Sequence, residues 1–344
     1  MELKTPSPEQ AYWGLRAMKT VAMADGVLDA SEQYMLESIQ RIFGTTHDLE
    51  RIALITPAEL ARAFPDPQLR RQLVQGLVIM TLIDGTAGSR ETDHVEQFAH
   101  ALEVDAPEVK NLRHVLKGEI LQLRLDLVRR FWLRPKVNEV WNKEGIRGLY
   151  KFVRGLMGQY ENKEMAARYH ALEHCPSGSL GRSLWEYWHV NGFALPGQKG
   201  GAPEQIVFHD CAHVLSGYGT APEEEVQVAC FSAGFQRREP WIFVFFVLLQ
   251  FHVGIRMTPI TMARTGMFDL LKAMIAIRRG AAMNVDLNDG WDYWPVIGEQ
   301  VEELRRRYNI LPVETFLPGK QETSALWPKQ VGHTDDSRYY CDVQ

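Results

Sequence analysis

The sequence predicts an all-α protein. No stretch alternates apolar and polar residues with the period of two that a half-buried strand requires; apolar residues recur instead at three- and four-residue spacing. These runs are punctuated by helix signals: Ser, Thr or Asp before the first turn, proline at its first position, glycine after the last. With 344 residues and 24% of them charged, the chain is long enough for two domains of a soluble globular protein.

In chain order, Ser7-Pro8-Glu9-Gln10 is a capping box that opens a helix carrying Trp13, Ala17, Met18 and Val21 and ending at Asp25-Gly26. A second helix starts near Asp29 or Ser31 and places Met35, Leu36, Ile39, Ile42 and Phe43 at helical spacing before Gly44 stops it. The same text then recurs 59 residues on (Asp25-Gly26 to Asp84-Gly85, Glu32 to Glu91), with His94, Val95, Phe98, Ala101 and Leu102 in the matching core positions. One internal duplication explains these matches and gives a helical domain over residues 1–118, punctuated by Pro57, Pro65 and Pro67.

On this Asp-Gly turn followed by an acid, the domain resembles the tellurite-resistance B-like (TerB-like) family, which implies an accessory or sensing role. Asp25, Asp29 and Glu32 can bind a cation, but helix capping explains these acids equally well. In the second half Gly88 replaces Asp29, so a cation site there lacks a ligand, and an EF-hand is excluded by the missing ladder of acids.

A second domain is expected over residues 119–312, followed by a tail over 313–344. Its helical pattern runs from Leu121 to Met157, with Trp132, Pro135 and Trp141 marking a change of direction. A helix from Glu161 to Cys175 is broken by Pro176-Ser177-Gly178-Ser179, and Leu180-Gly181-Arg182 opens the next, through Trp185, Tyr187 and Trp188. His170 and His174 read as surface or packing residues. A glycine-rich loop over 192–201 leads to the helix bearing His209 and His213. Gly217-Tyr218-Gly219 ends it, and Thr220-Ala221-Pro222-Glu223 reads as the capping box of the next helix, to Arg237. An apolar segment from Trp241 to Arg256, a core helix or a lipid-facing wall, and a helix from Pro259 to Gly280 follow.

The stretch that carries chemistry is Phe208-His209-Asp210-Cys211-Ala212-His213. At 3.6 residues per turn, His209 and His213 fall on one face, with Asp210 three residues before His213. The following helix start can aim Glu225 back at them. Two imidazoles and one or two carboxylates form a mixed nitrogen and oxygen ligand set for zinc or a non-haem iron, with positions left for substrate. Spacing alone also fits a structural histidine pair, but two imidazoles and a carboxylate are costly to bury without partners, and a metal is a natural one. A zincin-like hydrolase is disfavoured because the aspartate of HDxxH is shorter than the glutamate of HExxH.

Cys175-Pro176-Ser177-Gly178-Ser179-Leu180-Gly181-Arg182, then His209-Asp210-x-x-His213, then Glu225 after eleven intervening residues, resembles the coenzyme Q biosynthesis protein 4 family. Ala276-Ile277-Arg278-Arg279-Gly280, Trp291-Asp292-Tyr293-Trp294 and Leu304-Arg305-Arg306-Arg307-Tyr308 fit its C-terminal pattern, so the resemblance spans about 125–312. It implies metal ligation by His209, Asp210, His213 and Glu225, and oxidative removal of the ring carboxyl of a prenylated hydroxybenzoate. It implies as partners other ubiquinone-biosynthesis enzymes, and a homodimer. Zinc is the metal expected, with iron as the alternative; Glu225 and Asp210 are the expected catalytic carboxylates. Arg182 is a candidate to hold a substrate carboxylate, since arginine offers a bidentate match, with an ordinary surface salt bridge as its plain alternative. A non-catalytic scaffold that binds prenyl lipid and partner enzymes is the second expectation.

The net charge of −5 gives no electrostatic footprint for nucleic acid. Four scattered cysteines, Cys175, Cys211, Cys230 and Cys341, with no CxxC pair, point to a reducing compartment, the cytoplasm by default. The start has neither a signal core nor presequence character. The apolar run from Trp241 is too short to span, so membrane contact is expected to be peripheral. Cys341-Asp342-Val343-Gln344 fits a prenylation box superficially, but Asp342 is not aliphatic.

Overall fold

Ser7 Oγ accepts from Gln10 N at 3.1 Å and Gln10 Oε1 accepts from Ser7 N at 3.0 Å, closing the first capping box and fixing the start of α1 (Pro8–Ala22). The computed structural model describes residues 4–130, 145, 146, 148, 150, 151, 154, 159–237, 240–258 and 261–317. Among them are fourteen α-helices and no strand, β pairing being limited to the isolated bridges Ser179 with Gln300 and Val253 with Thr265. The expected turn at Trp132, Pro135 and Trp141 and the tail beyond residue 317 lie outside the described residues.

The duplication is visible in three dimensions. α1 corresponds to α4 (Pro67–Leu82), and α2 (Ala30–Phe43) corresponds to α5 (Ser89–Ala101). Gly26 and Gly85 turn the chain at matching places with φ of 95° and 90°. Asp29 caps α2 while Glu32 reaches back to Asp29 N at 2.7 Å; Glu91 reaches back to Gly88 N at 3.1 Å at the start of α5. Capping thus occupies these acids. The α2 and α5 starts also face each other, so that the equivalent side chains Glu32 and Glu91 meet inside the domain and hydrogen-bond, both nearly fully buried. Burial, with the Asp84 charge adding to it, pushes the Glu32 carboxyl up to about 7; burial and then the Glu32 charge push Glu91 up to about 8, so the pair holds a proton at neutral pH.

α3 (Pro57–Ala63) and α6 (Pro107–Leu116) close this domain, and α7 (Ile120–Arg130) leads out of it. The second half begins at α8 (Lys163–His170), shorter than predicted because the chain tightens into a 3₁₀ turn over Ala171–His174. α9 (Leu180–Val190) starts as predicted, capped by Ser179, and α10 (Val207–Ser216) carries the histidine pair. α11 (Pro222–Phe235) starts at Pro222 as predicted and ends two residues before Arg237, but its cap is not Thr220. Ala221 is its N-cap, with Glu224 bonding back to Ala221 N at 3.2 Å, while Thr220 Oγ1 donates to Asn191 Oδ1 at 2.9 Å.

α12 (Trp241–Phe251) stops well short of Arg256, since Gln250 and His252 bond to the loop that follows rather than continuing the helix. Ten of its eleven side chains are buried, and the run is spent on the core. α13 (Leu270–Ala281) begins only after the Asp269 cap, the expected start at Pro259 lying outside the described residues, and α14 (Val301–Arg307) packs on α10. No helix among the described residues is long and apolar enough to cross a membrane.

α11 lies against α13 at backbone distance. A Cβ on Gly234 would stand 2.2 Å from Ile277 O, and one on Gly280 would stand 2.0 Å from Phe231 O, so only glycine permits this crossing. The two halves meet where α12 packs on α4 and α7, and α13 on α2. His252 is one polar link between them, and Arg124 Nε, which donates to Arg256 O at 2.9 Å, is another. His252 Nε2 donates to Ile83 O at 2.7 Å, and its Nδ1 accepts from Phe268 N at 3.2 Å, which fixes the tautomer.

Candidate metal centre

α10 presents its ligands because Gly217, at φ 79°, ends the helix and reverses the chain. The turn brings Tyr218 O back to His213 Nδ1, at 3.2 Å, and so directs Nε2 the other way. The orphan carbonyls of the helix end are satisfied by arginines from elsewhere in the chain. Arg305 donates to Leu215 O at 2.8 Å and Val214 O at 3.1 Å, and Arg279 donates to Ser216 O at 3.0 Å. The Arg278-Arg279 and Arg305-Arg306 runs therefore contribute one arginine each to hold the histidine helix in place.

Three of the four predicted ligands converge. The ligand atoms of His209, His213 and Glu225 lie within 4.8 Å of one another, with His213 Nε2 at 3.5 Å and His209 Nε2 at 3.9 Å from the Glu225 carboxylate. Two ligands of one tetrahedral ion, each roughly 2.0–2.1 Å from it, are about 3.3 Å apart, so a small inward movement of Glu225 and His209 completes the fit. The most telling atom is His213 Nε2. It is buried, has no hydrogen-bond partner, and faces a carboxylate. The donor set, two imidazole nitrogens and a carboxylate oxygen, suits zinc or iron.

Electrostatics bind the three together without a metal as well. Burial pulls the His213 imidazole towards neutrality, but the Glu225 carboxylate outweighs it and the net shift is upward. Glu225 responds in kind: burial raises it, His213 and then His209 lower it, and the net shift is downward. Access is graded: the His213 side chain is fully buried, that of Glu225 22% exposed and that of His209 36% exposed. The open side of the centre is therefore the His209 flank.

Asp210 stands outside the triad. Its Oδ2 accepts from Trp188 Nε1 at 2.8 Å and its Oδ1 lies 3.8 Å from His209 Nδ1, so it neighbours His209 rather than ligating or orienting His213. Arg182 donates to Glu186 at 2.6 Å and to Glu173 O at 2.6 Å and stacks over Trp185; no hydrogen bond or ion pair joins it to the triad. It fills the ordinary salt-bridge role. His170 sits at the surface beside Glu173, as predicted.

Several residues around the centre have no signal in spacing. Tyr187 stacks on His213 with ring centroids 5.3 Å apart, and Trp188 meets Tyr169 edge-on at 5.6 Å. Behind Trp188, the Tyr169 and Tyr293 hydroxyls bond to each other, and Glu204 gathers Tyr169 Oη at 3.0 Å, Trp294 Nε1 at 3.3 Å and the Arg168 guanidinium. The aromatic density of Trp185 to Trp188 and of Trp291 to Trp294 was the one available hint. Comparison with family models, with curated proteins and with solved structures finds no match.

Proposed function

We propose that this chain is a metal-dependent protein of prenylquinone biosynthesis, in which His209, His213 and Glu225 would hold one divalent ion, zinc or iron, near the ring carboxyl of a prenylated hydroxybenzoate, which leaves as CO2 while an external two-electron oxidant takes up the electrons. The observation that carries the metal is the buried His213 Nε2, without a hydrogen-bond partner and 3.5 Å from the Glu225 carboxylate, with His209 alongside. The substrate class rests on the resemblance of the Gly-Arg, HDxxH and glutamate motifs. An ion held there supplies Lewis-acid stabilisation of a substrate carboxylate or phenolate. The chain's own contribution is to fix the imidazole tautomer through Tyr218 O, to shelter the His213 side, and to leave the His209 flank open for a ring. Asp210, braced by Trp188, belongs in this reading to the support of His209. Peripheral membrane contact, to reach a tailed substrate, and association with the other enzymes of the pathway complete the proposal.

The test pairs metal analysis with turnover. The purified protein is expected to hold about one ion per chain, lost in a folded His209→Ala/His213→Ala double variant. Glu225→Gln is expected to abolish product formation while partner binding survives. Pathway flux that followed partner binding alone would replace the enzyme with a prenyl-lipid scaffold, and no metal after repletion would remove the centre altogether.

A further inference from the structure

A second concave site lies between the two halves, away from the ligand triad's own residues. It has a volume of about 140 Å³ and is lined by Met18, Met35 and Leu73 from the duplicated domain and by Trp241, Met274 and Ile277 from α12 and α13. A dry cavity of roughly 150 Å³ lined by aliphatic and aromatic side chains takes up a benzene-sized molecule. Methionines adapt their shape to such a guest. One polar group in the lining is unsatisfied. The Trp241 indole N–H is buried without a hydrogen-bond partner in a residue 8% exposed. A buried donor left in this state costs about 1–3 kcal/mol, which a ligand able to accept its hydrogen bond would recover. No cationic side chain lines the site. That composition, a mostly apolar wall with a few polar groups (Gln10, Gln72, Gln75 and the Trp241 indole) to fix orientation, is the composition of a small-molecule pocket.

We infer that this interdomain pocket binds a compact neutral carbonyl compound, a ketone, ester or quinone-like ring of about six to ten heavy atoms, whose oxygen accepts the Trp241 N–H and whose apolar body lies among Met18, Met35 and Met274. The absence of a cation selects against carboxylates, and the unmet donor selects against plain hydrocarbons. Because the walls come from both halves and α13 carries Gly280 into contact with the Glu225 helix, the ligand joins the duplicated domain to the metal half. The inference does not depend on the metal centre or its chemistry.

The experiment titrates the full-length protein with 2-octanone, n-octane and octanoate while following tryptophan indole N–H resonances by NMR. One indole resonance is expected to move downfield with 2-octanone, to be absent in Trp241→Phe, and to respond to neither octane nor octanoate. Affinity for 2-octanone should fall about tenfold in Trp241→Phe and vanish in Gly76→Leu, which fills the pocket: even a Cβ at that position lies 2.5 Å from the flexible end of Met18. Should Gly76→Leu fail to fold, Trp241→Phe alone decides. An indole shift that persists in Trp241→Phe, equal affinity for octane and 2-octanone, preferential binding of octanoate, or no binding of 2-octanone overturns the inference.

Discussion

His213 Nε2 and Glu225 Oε1 face each other across 3.5 Å, one from the last turn of α10 and the other from the first turn of α11. The Gly217 turn between the two helices sets that separation, and the arginines that cap α10 maintain it.

Metal should therefore stabilise the native state and not merely decorate it. Zinc at a hundredfold excess over its Kd is expected to add about 2.7 kcal/mol to the unfolding free energy, a gain absent in His213→Ala. Urea denaturation with and without zinc, monitored by circular dichroism, reads this directly; an equal gain in the variant would mean that zinc acts elsewhere.

Trp188→Phe removes the donor to Asp210 while keeping an aromatic ring against Tyr169. The loss of a bond to a charged group costs about 1.5–3 kcal/mol of stability, and loosening His209 lowers metal affinity by about 10–100-fold. Competition with a chromophoric chelator measures the second effect. Unchanged affinity would confine Asp210 to packing.

Gly234→Ala drives a methyl into the backbone of α13 and is expected to destabilise the protein by more than about 3 kcal/mol. Thermal unfolding of this variant, beside a Gly298→Ala control whose Cβ meets nothing within 4 Å, separates the crossing from a general glycine effect.

The Glu32 and Glu91 pair makes stability fall as pH rises. These carboxyls titrate near 4.5 when unfolded and at about 7 and about 8 when folded. Between those limits the native state binds more protons, so the pair's contribution is whole below about 4.5 and lost as pH climbs through 7 to 8. Glu91→Gln supplies a permanent donor and should flatten this slope, gaining about 1–2 kcal/mol at pH 8.5. Parallel slopes for variant and parent between pH 5.5 and 8.5 would refute the shared proton.

His252 imposes the opposite slope. Burial away from water lowers its basicity, and the Ile83 carbonyl and the Asp84 charge oppose this only in part. Its contribution is present above the unfolded value of 6.5 and is lost as pH falls below it. Acidification is expected to loosen the junction between the halves first, seen as faster hydrogen exchange at Ile83 and Phe268 than in the core of α11.

Much of this was legible in the chain. The all-α class followed from the missing alternation, the duplication from the Asp25 and Asp84 turns, and the triad from the four-residue histidine spacing plus a glutamate at a helix start. Departures have local causes. α12 and α13 came out shorter than their apolar patterns because hydropathy does not register Gln250 and His252 bonding to the loop between them. Asp210 left the predicted ligand set because Trp188, distant in sequence, offers it a donor, and no spacing rule reports a tertiary partner. Arg182 was claimed by Glu186 one turn later, a pairing that the sequence did contain.

The meeting of Glu32 with Glu91 has an ancestral implication. In a two-fold dimer a residue near the axis touches its own copy, and here the same position of two tandem segments does so within one chain. The duplicated domain thus reproduces within one chain the self-contact of a two-fold dimer, with a shared proton between the two equivalent carboxyls. Each half is then the other's binding partner, and a change at either glutamate is felt at once by both.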